Sequence, residues 1–291
     1  MIGELFAIVA PVFFGAGIGY LWARLEQPFD VEFVTALTFN IGTPCLVFAT
    51  LTRFEISPAT FGSMAAYAVM ATLCFAIVAT LVLKLRGLAL RPYLPSLMFP
   101  NAGNMGLPLC LFAFGEKGLA LGIAFFTVTS LGNFTIGAAI AAGSASWRVV
   151  LRTPLIYAIA AAALFVFSNT SPPAWLANTT RLIGGLMIPL LLITLGVSLA
   201  RLKVADLGRS FFLSLLRLGM GLGVGLGLAE LLALEGATRG VFIIDCAMPV
   251  AVFNYLFAQR YGNAPSHVAG MVVISATLSF VTLPLLLLLV I

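Results

Sequence analysis

Charge is what this chain has least of. Only 9% of its 291 residues are Asp, Glu, Lys or Arg, 62% are hydrophobic, and the mean hydropathy is +1.14. A soluble domain carries about 25% charged residues, so a soluble fold is excluded. Histidine is nearly missing: His267 stands alone, no H-E-x-x-H occurs, and a usual zinc site has too few ligands. There is no G-x-x-x-x-G-K-[ST] to hold the phosphates of a driving nucleotide. No nucleophile–base pair supports a membrane-embedded enzyme. The four cysteines, Cys45, Cys74, Cys110 and Cys246, form no Cys-x-x-Cys and fall in apolar runs, as small packing residues do. No cofactor, metal or nucleic-acid partner is expected; a lipid bilayer is.

What is present is apolar length. At ~20 residues per crossing, spans are expected at 3–23, 33–52, 60–83, 93–113, 119–141, 153–168, 182–200, 210–233, 238–258 and 266–290. The fold class is therefore all-α integral membrane, with ten transmembrane helices. No basic region precedes the first run and no A-x-A-like site follows it, so it reads as a retained span. The net charge of +5 follows from topology. On the side of the N-terminus lie Arg53, Lys117, Arg181 and Arg239. The other eleven basic residues, Arg24, Lys84, Arg86, Arg91, Arg148, Arg152, Arg201, Lys203, Arg209, Arg217 and Arg260, fall at or near the opposite face. The positive-inside rule makes that face cytoplasmic and puts both termini outside. Trp22, Trp147 and Trp175 sit at span ends, where amphipathic rings prefer to lie.

Two features recur at one spacing. Arg53 and Arg201, each closing a span, are 148 residues apart, and Pro100 and Pro249, each interrupting one, are 149 apart. The spacing is near half the chain and divides it at 1–145 and 146–291. Five spans per half is an odd number, so the second half enters the membrane upside down, as an inverted repeat. Span eight carries Gly219-x-x-x-Gly223-x-x-x-Gly227 and span one Gly15-x-x-x-Gly19. Such stripes let helix backbones approach, either inside the bundle or at a dimer interface.

The polar residues concentrate at the interruptions. Span four reads Phe99-Pro100-Asn101-Ala102-Gly103-Asn104, and span nine Met248-Pro249-Val250-Ala251-Val252-Phe253-Asn254. A proline inside a helix frees backbone carbonyls, which in hydrocarbon need another partner. A matched pair of breaks points to the midplane site of a secondary transporter. Asn101, Asn104 and Asn254 offer amide donors there, and half-helix N-termini favour an anion. Together they form a neutral site able to hold a carboxylate; alternatively the amides only satisfy the freed carbonyls.

Asp245, just ahead of the second break, is the acid that lies clearly inside a span. A charge there is expensive, which suggests a proton-coupling group, a partner for a basic residue such as Arg239, or a hydrated position nearer the outer surface. Arg217 either snorkels to the cytoplasmic face or lines the substrate exit, snorkelling being the simpler reading. Asn40 and Pro44 in span two, and Pro189 in span seven, mark bent helices. Asn133 faces something polar inside the bundle, as substrate contact or as support for span four. His267, after Pro265, reads as a loop residue. Asn169-Thr170-Ser171 and Asn178-Thr179-Thr180 match the glycosylation sequon.

On these residues the chain resembles the auxin efflux carrier family, the prokaryotic relatives of plant PIN transporters, whose fold is related to that of the bile acid sodium symporters. Pro100, Asn101 and Asn104, with Pro249 and Asn254, are similar to that family's carboxylate-contacting crossover residues. The resemblance implies a scaffold of helices 1, 2, 6 and 7, a moving transport domain of helices 3–5 and 8–10, a homodimer and an elevator-like cycle. It implies substrates such as malonate, malate and similar carboxylates, moved across a cell (inner) membrane. The long hydrophilic loop of many plant members is absent, spans five and six being joined around 143–152, which argues against auxin. Scarcity of intramembrane acids favours protons or uniport over sodium, the nearest alternative; a passive channel is a further one. A cysteine placed in the 169–180 loop should react with an impermeant thiol reagent added outside, and one near 144–148 should not. The reverse pattern overturns the orientation.

Overall fold

Every regular element among the described residues is a helix, apart from one isolated two-residue bridge. The computed structural model describes residues 2–53, 57–143, 154–168, 170–202 and 206–290. The expected linker with Trp147, Arg148 and Arg152, the sequon residue Asn169, and Lys203 lie outside them.

In chain order the helices are α1 (Ile2–Arg24), α2 (Val31–Leu37), α3 (Thr43–Arg53), α4 (Pro58–Leu85), α5 (Leu90–Met98), α6 (Leu107–Gly132) and α7 (Ala138–Ala142). They continue with α8 (Pro154–Phe167), α9 (Ala174–Gly185), α10 (Met187–Arg201), α11 (Leu207–Leu231), α12 (Gly236–Ala247), α13 (Val252–Arg260) and α14 (Pro265–Val290). Wider π-helical turns, Thr38–Gly42, Ala102–Gly106 and Asn133–Gly137, join α2 to α3, lead into α6 and join α6 to α7.

Helix α4 identifies the solvent. One face carries Met64, Ala68, Ala71, Phe75, Ala79 and Leu83, all fully buried. The opposite face carries Val69, Leu73, Ile77, Leu81 and Leu85 at intervals of four, all exposed. A helix that is apolar all round is a core or membrane helix, and an aliphatic stripe of this length facing outward, in a chain this poor in charge, marks a lipid-facing surface.

Among the described residues, seven continuous helical stretches are long and apolar enough to cross a membrane, and Pro154–Phe167 is apolar but shorter. Seven rather than ten has a physical reason. The expected fourth and ninth spans are cut at Pro100 and Pro249 into pieces, none of which spans alone. The fifth span is fused to the end of the fourth in a stretch of 41 residues, Ala102–Ala142. At ~1.5 Å per residue such a helix would be roughly twice the ~30 Å hydrocarbon thickness. Gly115, at φ 62° and ψ −154°, reverses it. Residues 107–114 then fold back on 116–132: a Cβ on Gly118 would strike the Cys110 carbonyl, and one on Gly122 would touch Cys110 and Leu107.

Proline shapes two further helices as expected. The π turn Thr38–Gly42 lies one turn ahead of Pro44, and α9 gives way to α10 at Leu186, three residues before Pro189. Helix α9 begins at Ala174, so Asn178–Thr180 is helical and not loop. The extended stretch suited to labelling is 170–173.

Helix α1 packs along α10, and α3 packs against α8 and α9; elsewhere α4 packs on α5 and α6, and α11 on α12 and α14. The glycine stripes divide between these contacts and open space. Gly19 and Gly196 bring α1 and α10 together: a Cβ at Gly19 would meet Ile193 O, and one at Gly196 would meet Ala16 O. On α11, Gly221 and Gly225 face α12, whereas Gly219, Gly223 and Gly227 have nothing within 4 Å. The expected stripe therefore faces outward from the chain. Gly196→Ala should lower the unfolding temperature in detergent through roughly 1–3 kcal/mol of overpacking. Gly223→Ala should leave it unchanged or raise it through about 0.5–1 kcal/mol of helix propensity; equal losses would overturn the packing assignment.

Candidate functional site

The two proline breaks meet. Pro100 and Val250 form the isolated antiparallel bridge, and Asn101 N donates to Pro249 O at 2.8 Å. Two extended segments thus cross between α5 and α6 and between α12 and α13. Several of the backbone groups freed there have partners, as burial in hydrocarbon demands. Phe99 O accepts from Asn254 Nδ2 at 3.4 Å, Asp245 O from Met248 N at 3.4 Å, and Val250 N donates to Ser275 Oγ at 3.1 Å. Asn101 caps the next half-helix: its side-chain oxygen accepts from Asn104 N at 3.3 Å and its carbonyl from Gly106 N at 3.2 Å.

Arg217 provides three more partners and corrects the snorkelling expectation. It is fully buried and does not reach the cytoplasmic face. Nε donates to Met248 O at 3.2 Å, Nη1 to Leu97 O at 3.2 Å and Nη2 to Cys246 O at 2.7 Å. The guanidinium also lies 4.5 Å from the centre of the Phe75 ring.

Beside the crossing lies a small cavity of about 20 Å³, close to the room one water needs. Pro100, Asn101, Asn104 and Asn133 line it together with Thr129 and Ser130. The Asn101 Nδ2 donor and the Asn133 Oδ1 acceptor are buried and have no hydrogen-bond partner. Aromatic rings line it as well: Phe39, Phe134 and Phe253 stand edge to face, Phe39 with its ring centre 4.3 Å from Phe253 and 5.3 Å from Phe134. The residue 149 positions after Asn104 is Phe253, so the second half-helix offers a phenyl ring where the first offers an amide.

Four of the expected site residues line the cavity. Pro249, Asn254 and Asp245 do not. Asn254 is occupied with Phe99 O and leaves its own Oδ1 unpartnered. Asp245 is fully buried on α12 against the other side of the crossing, where Gly106 leaves it room: a Cβ there would strike Asp245 Oδ1. Neither carboxyl oxygen has a hydrogen-bond partner, and the Cys110 thiol is a close neighbour without hydrogen-bonding geometry. That burial excludes the hydrated alternative, and Arg239 does not pair with it. His267 is not in a loop. It sits in the first turn of α14, with Nδ1 2.9 Å from Tyr93 Oη. The aromatic wall carried no sequence signal in a chain with 24 phenylalanines; Ser275 and Ser279, one turn apart in an apolar run, were a legible one.

A second, larger cavity of about 570 Å³ opens between α3, α6, α9 and α10, lined in part by Thr50, Arg53, Glu116 and Arg181.

Broken helices crossing among long apolar helices define a multi-pass membrane protein. Residues 141–287 match the family described as Membrane transport protein, and the chain belongs to this auxin efflux carrier family. It is 25% identical over 202 residues to an uncharacterized transporter of Methanocaldococcus jannaschii, covering 65% of this chain and 64% of that protein. It is 28% identical over 193 residues to an uncharacterized transporter of Methanothermobacter thermautotrophicus, covering 64% of this chain and 63% of that one. The chain thus matches just under two thirds of the length of these relatives.

Proposed function

We propose that the protein is a secondary active transporter of small organic anions, working by elevator-type alternating access and either proton-coupled or uniport. The observation that carries this is the buried amide donor of Asn101, unpartnered beside Asn104 and Asn133 at the crossing of two broken helices. Half-helix N-termini and amides hold a carboxylate through hydrogen bonds without a fixed ion pair. No charged residue is among the described residues lining that cavity. One ionised carboxylate can meet the amides while the rest of the molecule lies against the phenyl rings. The cavity must widen to admit even a small acid, which fits a mobile site.

Ten spans in a five-plus-five inverted repeat remain our reading of the architecture, supported by the matched breaks and by the reversal at Gly115. The helix pairings favour a scaffold of α1–α3 and α8–α10 and a transport domain of the others. With both termini outside a cell (inner) membrane, the larger cavity faces outward. Its Arg53 and Arg181 then favour the approach of anions. A homodimer through the scaffold is part of the same proposal. A sodium-coupled organic-anion symporter of this fold is the alternative.

Thermal-shift and equilibrium binding against a panel of mono- and dicarboxylates test the substrate class. Asn104→Ala or Asn133→Ala should weaken the best carboxylate by roughly 1–3 kcal/mol with little loss of stability. Normal binding by both variants would reduce the amides to backbone support. Concentrative uptake into proteoliposomes under an imposed proton gradient excludes a channel. As an ion, the Asp245 carboxyl would be an uncompensated buried charge, costly to move through a hydrophobic layer; as a neutral acid it would not. Asp245→Asn should therefore abolish uphill, proton-driven uptake and preserve counterflow exchange. Retained accumulation on a proton gradient alone would remove Asp245 from the coupling step.

A further inference from the structure

Two helix C-termini converge at the crossing, α5 ending at Met98 and α12 at Ala247. Each is the negative pole of its helix, and in a low-dielectric interior two such poles repel unless a positive charge lies between them. In transporters built on broken helices, unwound carbonyls and half-helix C-termini commonly coordinate a coupling cation. Here those oxygens are already taken. Leu97 O from one half, with Cys246 O and Met248 O from the other, accept from the three kinds of guanidinium nitrogen of Arg217, and the Phe75 ring closes the face of the ion. Residue 217 is 120 positions from Leu97 in sequence, so the contact fastens elements that chain connectivity does not.

The charge itself is the informative part. A neutral amide or hydroxyl satisfies carbonyls with far smaller desolvation cost than an ion, yet a fully buried arginine occupies the place. Its donors all go to backbone carbonyls and none to Asp245, whose oxygens stay unpartnered. We propose that the Arg217 guanidinium is a resident cation that does at the crossover what a bound metal ion would do, joining the two negative helix ends so that no coupling sodium ion is needed or admitted there. This rests on reading the crossover as the transport site, and it decides against the sodium-coupled alternative.

The test uses purified full-length protein in detergent and no carboxylate, so its failure is separate from failure of the substrate reading. Wild type should melt at the same temperature in sodium, potassium and choline chloride of equal ionic strength. Arg217→Lys should retain more stability than Arg217→Gln, although glutamine keeps a planar amide donor. Arg217→Ala should melt several degrees lower and recover in millimolar guanidinium, whereas urea at the same concentration, similar in shape but uncharged, should not restore it. Higher melting of wild type in sodium would overturn the proposal. So would equal rescue by urea, or a glutamine variant more stable than the lysine one. If the alanine variant cannot be purified, the lysine–glutamine order and the wild-type salt series still decide.

Discussion

Backbone groups freed inside a membrane need partners, and the molecule is arranged around meeting that need at one point. Pro100 and Pro249 interrupt two helices where water cannot compensate. The structure answers with one extended segment crossing another, so that Asn101 N meets Pro249 O. Asn254, Ser275 and Arg217 are then recruited from three different helices to the carbonyls and amides left over.

Much of this was legible beforehand because prolines and asparagines are rare events in apolar runs. The breaks, Asn101, Asn104 and Asn133 could be found by polarity alone, and three asparagines do share one cavity. What spacing does not reveal is which face of a helix meets which neighbour. Gly219, Gly223 and Gly227 have the pattern of a packing stripe and face open space, while Gly221 and Gly225, two residues out of phase, make the contact. Arg217 was misread for the same reason. A cation near a span end defaults to the interface, and only its position relative to two remote helix ends reveals another role. The phenylalanine wall was invisible because its members differ from the rest of the phenylalanines by location alone.

Family membership and geometry bear on different questions. The match over residues 141–287 establishes the class, and relatives called uncharacterized transporters add no substrate. The small cavity supplies what they do not: uncharged polar side chains and aromatic rings lining one space.

That division has a consequence for direction. The two broken helices are alike in backbone, but at corresponding positions one presents Asn104 and the other Phe253. On the proposed function, a carboxylate held between that amide and that ring would have a head and a tail and therefore one orientation. If the site is carried from one side of the membrane to the other without turning over, a molecule that enters carboxylate-first also leaves carboxylate-first, and one travelling the other way leads with its tail. Inward and outward journeys then strip water from opposite ends of the molecule, so their barriers differ even where the overall equilibrium is the same.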